Sequence, residues 1–337
     1  LTVTGNLSVD GGTIKLDGNY PTGLNNVALG NGALDAALTG GSNTGLGSNS
    51  LSANTSGAQN TAIGNASLLL NQTGTANTAV GDDALIINVS GNYNVAVGSD
   101  SLYNNTASNN TAVGYQAVYT NTTGIANVGL GAYALQLNTT GNYNTALGYN
   151  AGNAITTGLY NVAIGANALD VSTTANSNIG IGVNALGSTT TGAENVAMGL
   201  NALLTNTTGA SNVGIGTYAL NSNTTSSSNV AVGYQTLYSM SATGDANKST
   251  AVGYQAGYNS THNVDAFGAQ ALYSNTTGVL SVAMGREALY SNTTGSYNTA
   301  IGYQAGFFIT TGAKNTVLGR YNGNQGGLDI RTSSNNI

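Results

Sequence analysis

Groups able to do chemistry are few in this chain. Among its 337 residues there are 12 acids, 6 Lys or Arg, one His and no Cys. Acid–base or glycosidic chemistry needs carboxylates held as a pair. The acids here are mostly scattered singly. Asp82 and Asp83 are adjacent, so on a strand they point to opposite faces. Asp265 and Glu287 fall in successive repeats at different offsets. We therefore expect no catalytic residues, no cofactor and no enzymatic activity. His262 is the one metal candidate, as three copies on a symmetry axis could offer three imidazoles. Its H-x-x-D setting is unspecific, and a histidine in a distorted loop is the favoured reading. No thiolate metal site or disulfide can form. Tyrosine is the most suggestive type, with 19 copies against 3 Phe. Tyr103, Tyr119, Tyr238, Tyr258, Tyr273 and Tyr290 share one offset. A row of this kind could stack sugar rings, although rings stacking on each other along the row or filling a gap between chains is the favoured reading.

These rows follow from a repeat that dominates the chain. The Gly closing each N-[VT]-A-[VIL]-G block recurs from Gly30 to Gly319, with spacings of 17, 17, 17, 17, 16, seven of 17, then 20, 15, 17, 17 and 17. Eighteen copies of a 17-residue unit, N-V-A-I-G-x-x-A-L-x-x-N-T-T-G-x-x in outline, thus span roughly 22–322. Such a period signals a stacked architecture. A propeller blade needs about 40 residues, and Gly and Asn punctuate too often for helices. The expected fold is all-β: a parallel β-solenoid. Residues 1–21, with period-two alternation, read as an N-terminal cap. Residues 323–337 read as a C-terminal strand and linker toward a distal or chaperone domain.

Within the unit, β-branched and large apolar residues flank a small one, as in Val162-Ala163-Ile164. The bulky pair shares one strand face and is expected to form the core. The small face is expected to meet another chain. Ala-Leu, three and four residues after the Gly, reads as a second short strand, and N-T-T-G reads as a turn. An Asn stands four residues before the Gly in fifteen of eighteen copies: Asn26, Asn43, Asn60, Asn77, Asn94, Asn110, Asn127, Asn144, Asn161, Asn178, Asn195, Asn212, Asn229, Asn298 and Asn315. Aligned in successive coils, these predict a structural amide ladder.

Only 5% of residues are charged and the net charge is −6. Between Lys15 and Lys248 there is no basic residue. A nucleic-acid interface needs a basic face and is excluded. Anionic membranes are excluded as a surface for the same reason, and no apolar run reaches the roughly 20 residues of a membrane span.

Two resemblances enter here. The N-[SVT]-[VA]-[AV]-[IVL]-G motif resembles the head repeats of YadA-like trimeric autotransporter adhesins. That likeness implies a left-handed β-roll assembled as a homotrimer through small-residue faces. The familiar head repeat is shorter than 17 residues. The opening L-T-V-T-G-N-L-S-V-D-G-G-T-I-K-L-D-G and the closing G-G-L-D-I-R-T-S-S-N-N-I look like segments of bacteriophage tail-fibre proteins. In those fibres the closing run precedes a trimerising chaperone. Together they imply an extracellular fibre on a virion, with a host cell-surface glycan or receptor and other fibre or virion proteins as partners. Recognition is expected around 234–268 or at a distal tip. The alternatives are a bacterial adhesin head, an ice-binding or surface-layer solenoid, and a polysaccharide-cleaving tailspike.

Overall fold

The computed structural model describes residues 25–36, 38–241, 248–323 and 331–335. The expected cap over 1–21 lies outside them, as does most of the expected C-terminal strand. The chain divides into two compact units, Leu1–Ala126 and Asn127–Ile337. The first holds six described strands, from Val27–Leu29 to Thr111–Val113, and the second holds twelve, from Val128–Leu130 to Thr316–Leu318. No helix occurs among the described residues.

Each strand is three or four residues long, and within each unit strands of successive coils pair in parallel. The register is one coil per repeat: Thr61 faces Thr78, Ala62 faces Ala79 and Ile63 faces Val80. The fold is a β-solenoid with about 17 residues per turn, as the repeat predicts. The irregular copies keep the same register, because Val230 faces Thr250 across 20 positions and Thr250 faces Asp265 across 15.

The core is the reverse of the expected one. The small central residue of each strand points inward: Ala62, Ala79, Ala163 and Ala197 are fully buried. The bulky residues on either side point out, with Leu46 exposed at 41% and Ile301 at 40%. The reason is steric. The large core residue comes from the turn, where Leu51, Leu135 and Leu203 are fully buried. Each such Leu lies over the central strand position of the next coil. A methyl placed on Gly180 would sit 3.4 Å from Leu169 Cγ, and one on Gly214 would sit 3.3 Å from Leu203 Cγ. There is room for Ala or Gly and for little else.

The Ala-Leu pair is not a second strand. It lies in consecutive turns, and its Leu takes a left-handed conformation, with φ 54° at Leu51 and 51° at Leu203. That backbone costs about 1–3 kcal/mol in a non-Gly residue. Burying the Leu side chain returns about 1.5–3 kcal/mol. The turn also joins the ladder, since the Leu203 N–H donates to the Ala219 carbonyl at 2.9 Å.

Gly replaces the Leu in three coils, at Gly152, Gly257 and Gly306, with φ 58°, 60° and 61°. At Gly257 the residue three places on is the buried Ser260, and in the other two coils the large residue moves. Ile155 and Ile309, three residues on, are fully buried in place of the usual Asn. A methyl on Gly152 would lie 3.0 Å from Ile155 Cδ1. Leu with Asn, and Gly with Ile, are two solutions to one volume. Ile155→Asn alone should leave a cavity and lower the melting temperature, and Gly152→Leu alone should overpack. The pair together should recover most of both losses in a double-mutant cycle read by far-UV circular dichroism.

The Gly after each strand is held by geometry. Gly182 has φ 132°, and a methyl there would lie 2.5 Å from the Gly199 carbonyl oxygen of the next coil. Gly319, at φ 92°, has nothing within 4 Å of that position. Gly182→Ala is therefore expected to destabilise by more than about 2 kcal/mol, and Gly319→Ala by clearly less, in thermal melts of the two variants.

Candidate functional site

Each described coil repeats the same side chains at the same place, so chemistry appears as columns. The Asn before each strand forms one. Asn195 is fully buried. Its backbone N–H donates to Asn178 Oδ1 at 2.9 Å, and its own Oδ1 accepts the Asn212 N–H at 3.0 Å. Its Nδ2 donates to the Gly209 carbonyl at 2.9 Å. The same pattern runs through Asn43, Asn60 and Asn77. Where Ser replaces Asn the hydroxyl serves instead: Ser281 Oγ accepts the Asn298 N–H at 3.2 Å.

A second amide column went unread in the sequence. The Asn of N-T-T-G is buried and stacks too, with Asn71 Nδ2 donating to Asn54 Oδ1 at 2.8 Å and Asn223 Nδ2 to Asn206 Oδ1 at 2.8 Å. The Thr beside it forms a third column. Thr139, Thr156, Thr190 and Thr207 each donate a hydroxyl to the backbone carbonyl one coil on, at 3.0–3.2 Å. The fixed position of N-T-T-G in the repeat was the available signal.

The tyrosines form ring piles. Tyr103 and Tyr119 stack at 5.0 Å. Tyr238, Tyr258, Tyr273, Tyr290 and Phe307 make a continuous pile with centroids 5.0–5.2 Å apart. Within it Tyr258, Tyr273 and Tyr290 have both faces covered by neighbouring rings. The faces that a sugar would stack on are occupied, and edges and hydroxyls remain. Burial pushes the Tyr258 phenol up, helped by Tyr238, Tyr273 and Tyr234.

His262 is partly exposed and its Nδ1 lies 2.7 Å from Thr261 Oγ1. No group of three or more His, Cys, Asp or Glu gathers among the described residues. Near the irregular copies Lys248, Asn263, Val264, Asp265 and Leu280 line an open hollow of about 180 Å³. Acids meet across coils at Asp82, Asp83 and Asp100. Burial first, then Asp82 and Asp100, pushes the Asp83 carboxyl up. A carboxyl raised on folding contributes its stability at low pH. That contribution is lost as pH rises from the unfolded value through the folded one.

The largest unsatisfied feature is the outward strand face. In the second unit the two flanking strand positions supply 24 side chains, none of them buried. Nineteen are apolar and only Asp265 is charged. Exposure is 43% at Leu130 and Leu147 and 44% at Met284, and reaches 79% at Leu318 in the last strand. No described helix is long and apolar enough to cross a membrane.

Truncating one Asn tests the first column. Asn195→Ala strands the buried Asn212 N–H and removes one of two donors from the Gly209 carbonyl, which keeps Asn206 Nδ2, and should cost about 2 kcal/mol. Asn26→Ala, at the partly buried start of the column, should cost less in the same chemical denaturation series.

No known family model matches the chain, and no curated protein matches it in sequence.

Proposed function

We propose that this chain is a structural segment of an extracellular fibre, a bacteriophage tail fibre that assembles as a homotrimer and carries host-receptor recognition. The observation that carries the reading is the coil-to-coil bonding within each unit. Backbone, amide and hydroxyl ladders hold a chain that has no disulfide and almost no charge. Stability of this kind depends little on salt, because few charges are available to screen. The neutral polar turns offer little to stray charged partners. The two terminal motifs support a phage source over a bacterial adhesin head. In this reading the chain works by stiffness and binding, with no reaction of its own. Its partners are copies of itself, other virion proteins and a cell-surface glycan on the host.

The Thr column bears on the ice-binding alternative. Hydroxyls that donate to the next coil are already engaged, which weakens an array offered to water. The experiment is immunogold electron microscopy with antibodies raised against 139–225. Label on tail fibres of phage particles from the source culture is the expected result. Label on bacterial envelopes, with particles bare, replaces the phage by an adhesin. Label on neither overturns the fibre reading.

A further inference from the structure

We propose that the outward strand face is where copies of this chain pack against one another. The proposal deepens the assembly part of the fibre reading and rests on it. It assigns the interface to the bulky face, because the small face is already the core of each coil.

The face is built for burial and is only partly covered within the chain. In the second unit every central strand residue, from Gly129 to Val317, is buried, and every flanking one is at least partly exposed. The 24 flanking side chains leave on the order of 1,000 Å² open, against the roughly 800 Å² per partner of a standard interface. Monomers seldom expose a continuous apolar patch of more than about 300–600 Å². The residue two places after the outermost position extends the apolar character in several coils, with Tyr149 exposed at 55% and Tyr254 at 51%, while Arg286 and Arg320 stand at the same place near the end of the unit.

The chemistry points to a second copy. A partner recognised by charge would need charged groups here, and Asp265 is the only one among the 24 flanking strand positions. What the face offers is a regular grid of Val, Ile, Leu and Met at the coil spacing of about 4.8 Å. A grid of that period is matched by another surface of the same period. A copy of this chain supplies one, and side chains on facing sheets can interdigitate at about 10 Å separation. With a net charge of −6 over 337 residues, repulsion between copies is small. Packing through this face leaves the exposed Thr edge of the turns in water.

The test uses the full chain. Met198 and Ile215 lie in adjacent coils and are exposed at 39% and 36%, so Glu at both leaves the core intact. Thr191 and Thr208 lie in the same coils on the exposed turn edge and serve as the control pair. Light scattering across a concentration series should find the unaltered chain as a multimer. Met198→Glu with Ile215→Glu should dissociate at least tenfold more readily with an unchanged far-UV spectrum. Thr191→Glu with Thr208→Glu should behave as the unaltered chain does. A multimer that survives the face substitutions overturns the assigned surface and leaves assembly standing. An unaltered chain that is monomeric at every concentration overturns both.

Labelling gives a second measure that needs no charged variant. The chain has no Cys, so Ile215→Cys and Thr208→Cys each introduce a single thiol. The first should be protected from a maleimide probe in the multimer and the second should react freely. Equal reactivity in the multimer overturns the proposal.

Discussion

Within each unit, a residue lies over its counterpart one coil away, and this register governs the composition. Strand pairing sets the coils about 4.8 Å apart, so any side chain repeated in the sequence becomes a column of like groups. Two like charges at that spacing repel by roughly 1 kcal/mol even in water, and a column multiplies the cost. Groups that carry both a donor and an acceptor do the opposite. An Asn amide, a Gln amide or a Thr hydroxyl can give to one neighbour and take from the other. The chain is rich in these and holds only 5% charged residues. The exceptions behave as the argument requires. Asp83 is raised by burial and by neighbouring acids. Glu287 is lowered chiefly by the hydrogen bond from Gln304 in the next coil, with Arg286 helping.

The same register makes part of the structure legible without coordinates. A 17-residue spacing maintained over eighteen copies allows one coil per repeat, and the Asn before each strand then has to stack. The orientation of the strand is less visible. Bulky residues are ordinarily the buried ones, and Val162-Ala163-Ile164 read that way puts its two large residues inside. The competing constraint is the Leu of the preceding coil, which occupies the space over the central position, as Leu169 does over Gly180. Nothing in the local pattern reveals that. Leu is also a poor signal for a left-handed turn, so Ala134-Leu135 passes for a strand although Leu135 has φ 51°.

The Gly/Ile coils show that volume is the controlling quantity. At Gly152 the left-handed turn is kept and the Leu is lost, yet the core is filled again by Ile155. The hydrogen-bonding Asn is given up in the exchange. Packing therefore outranks one rung of the second amide column, in keeping with a buried aliphatic side chain being worth about 1.5–3 kcal/mol and a typical hydrogen bond about 1. The first amide column is treated differently. Its substitutes are mostly Ser, which retains a hydrogen-bonding group, as at Ser249, whose N–H still meets Asn229 Oδ1 at 3.0 Å. Losing that column would orphan a backbone N–H at the entry to the strand.

A columnar protein also constrains where recognition can sit. Any site built from the regular repeat is itself periodic, so it suits a periodic partner such as another copy of the chain. A unique ligand needs a break in the period. Ser249, Val264 and Ser281 are the three copies that lack the first Asn, and they are consecutive. Lys248, His262 and Asp265, three of the chain's few ionisable groups, fall among them. The backbone register nevertheless holds through this stretch, with Ala251 facing Ala266 and Ala266 facing Ala283. The solenoid thus keeps its ladder where it gives up its repetition, which lets distinct side chains be displayed without breaking the stack.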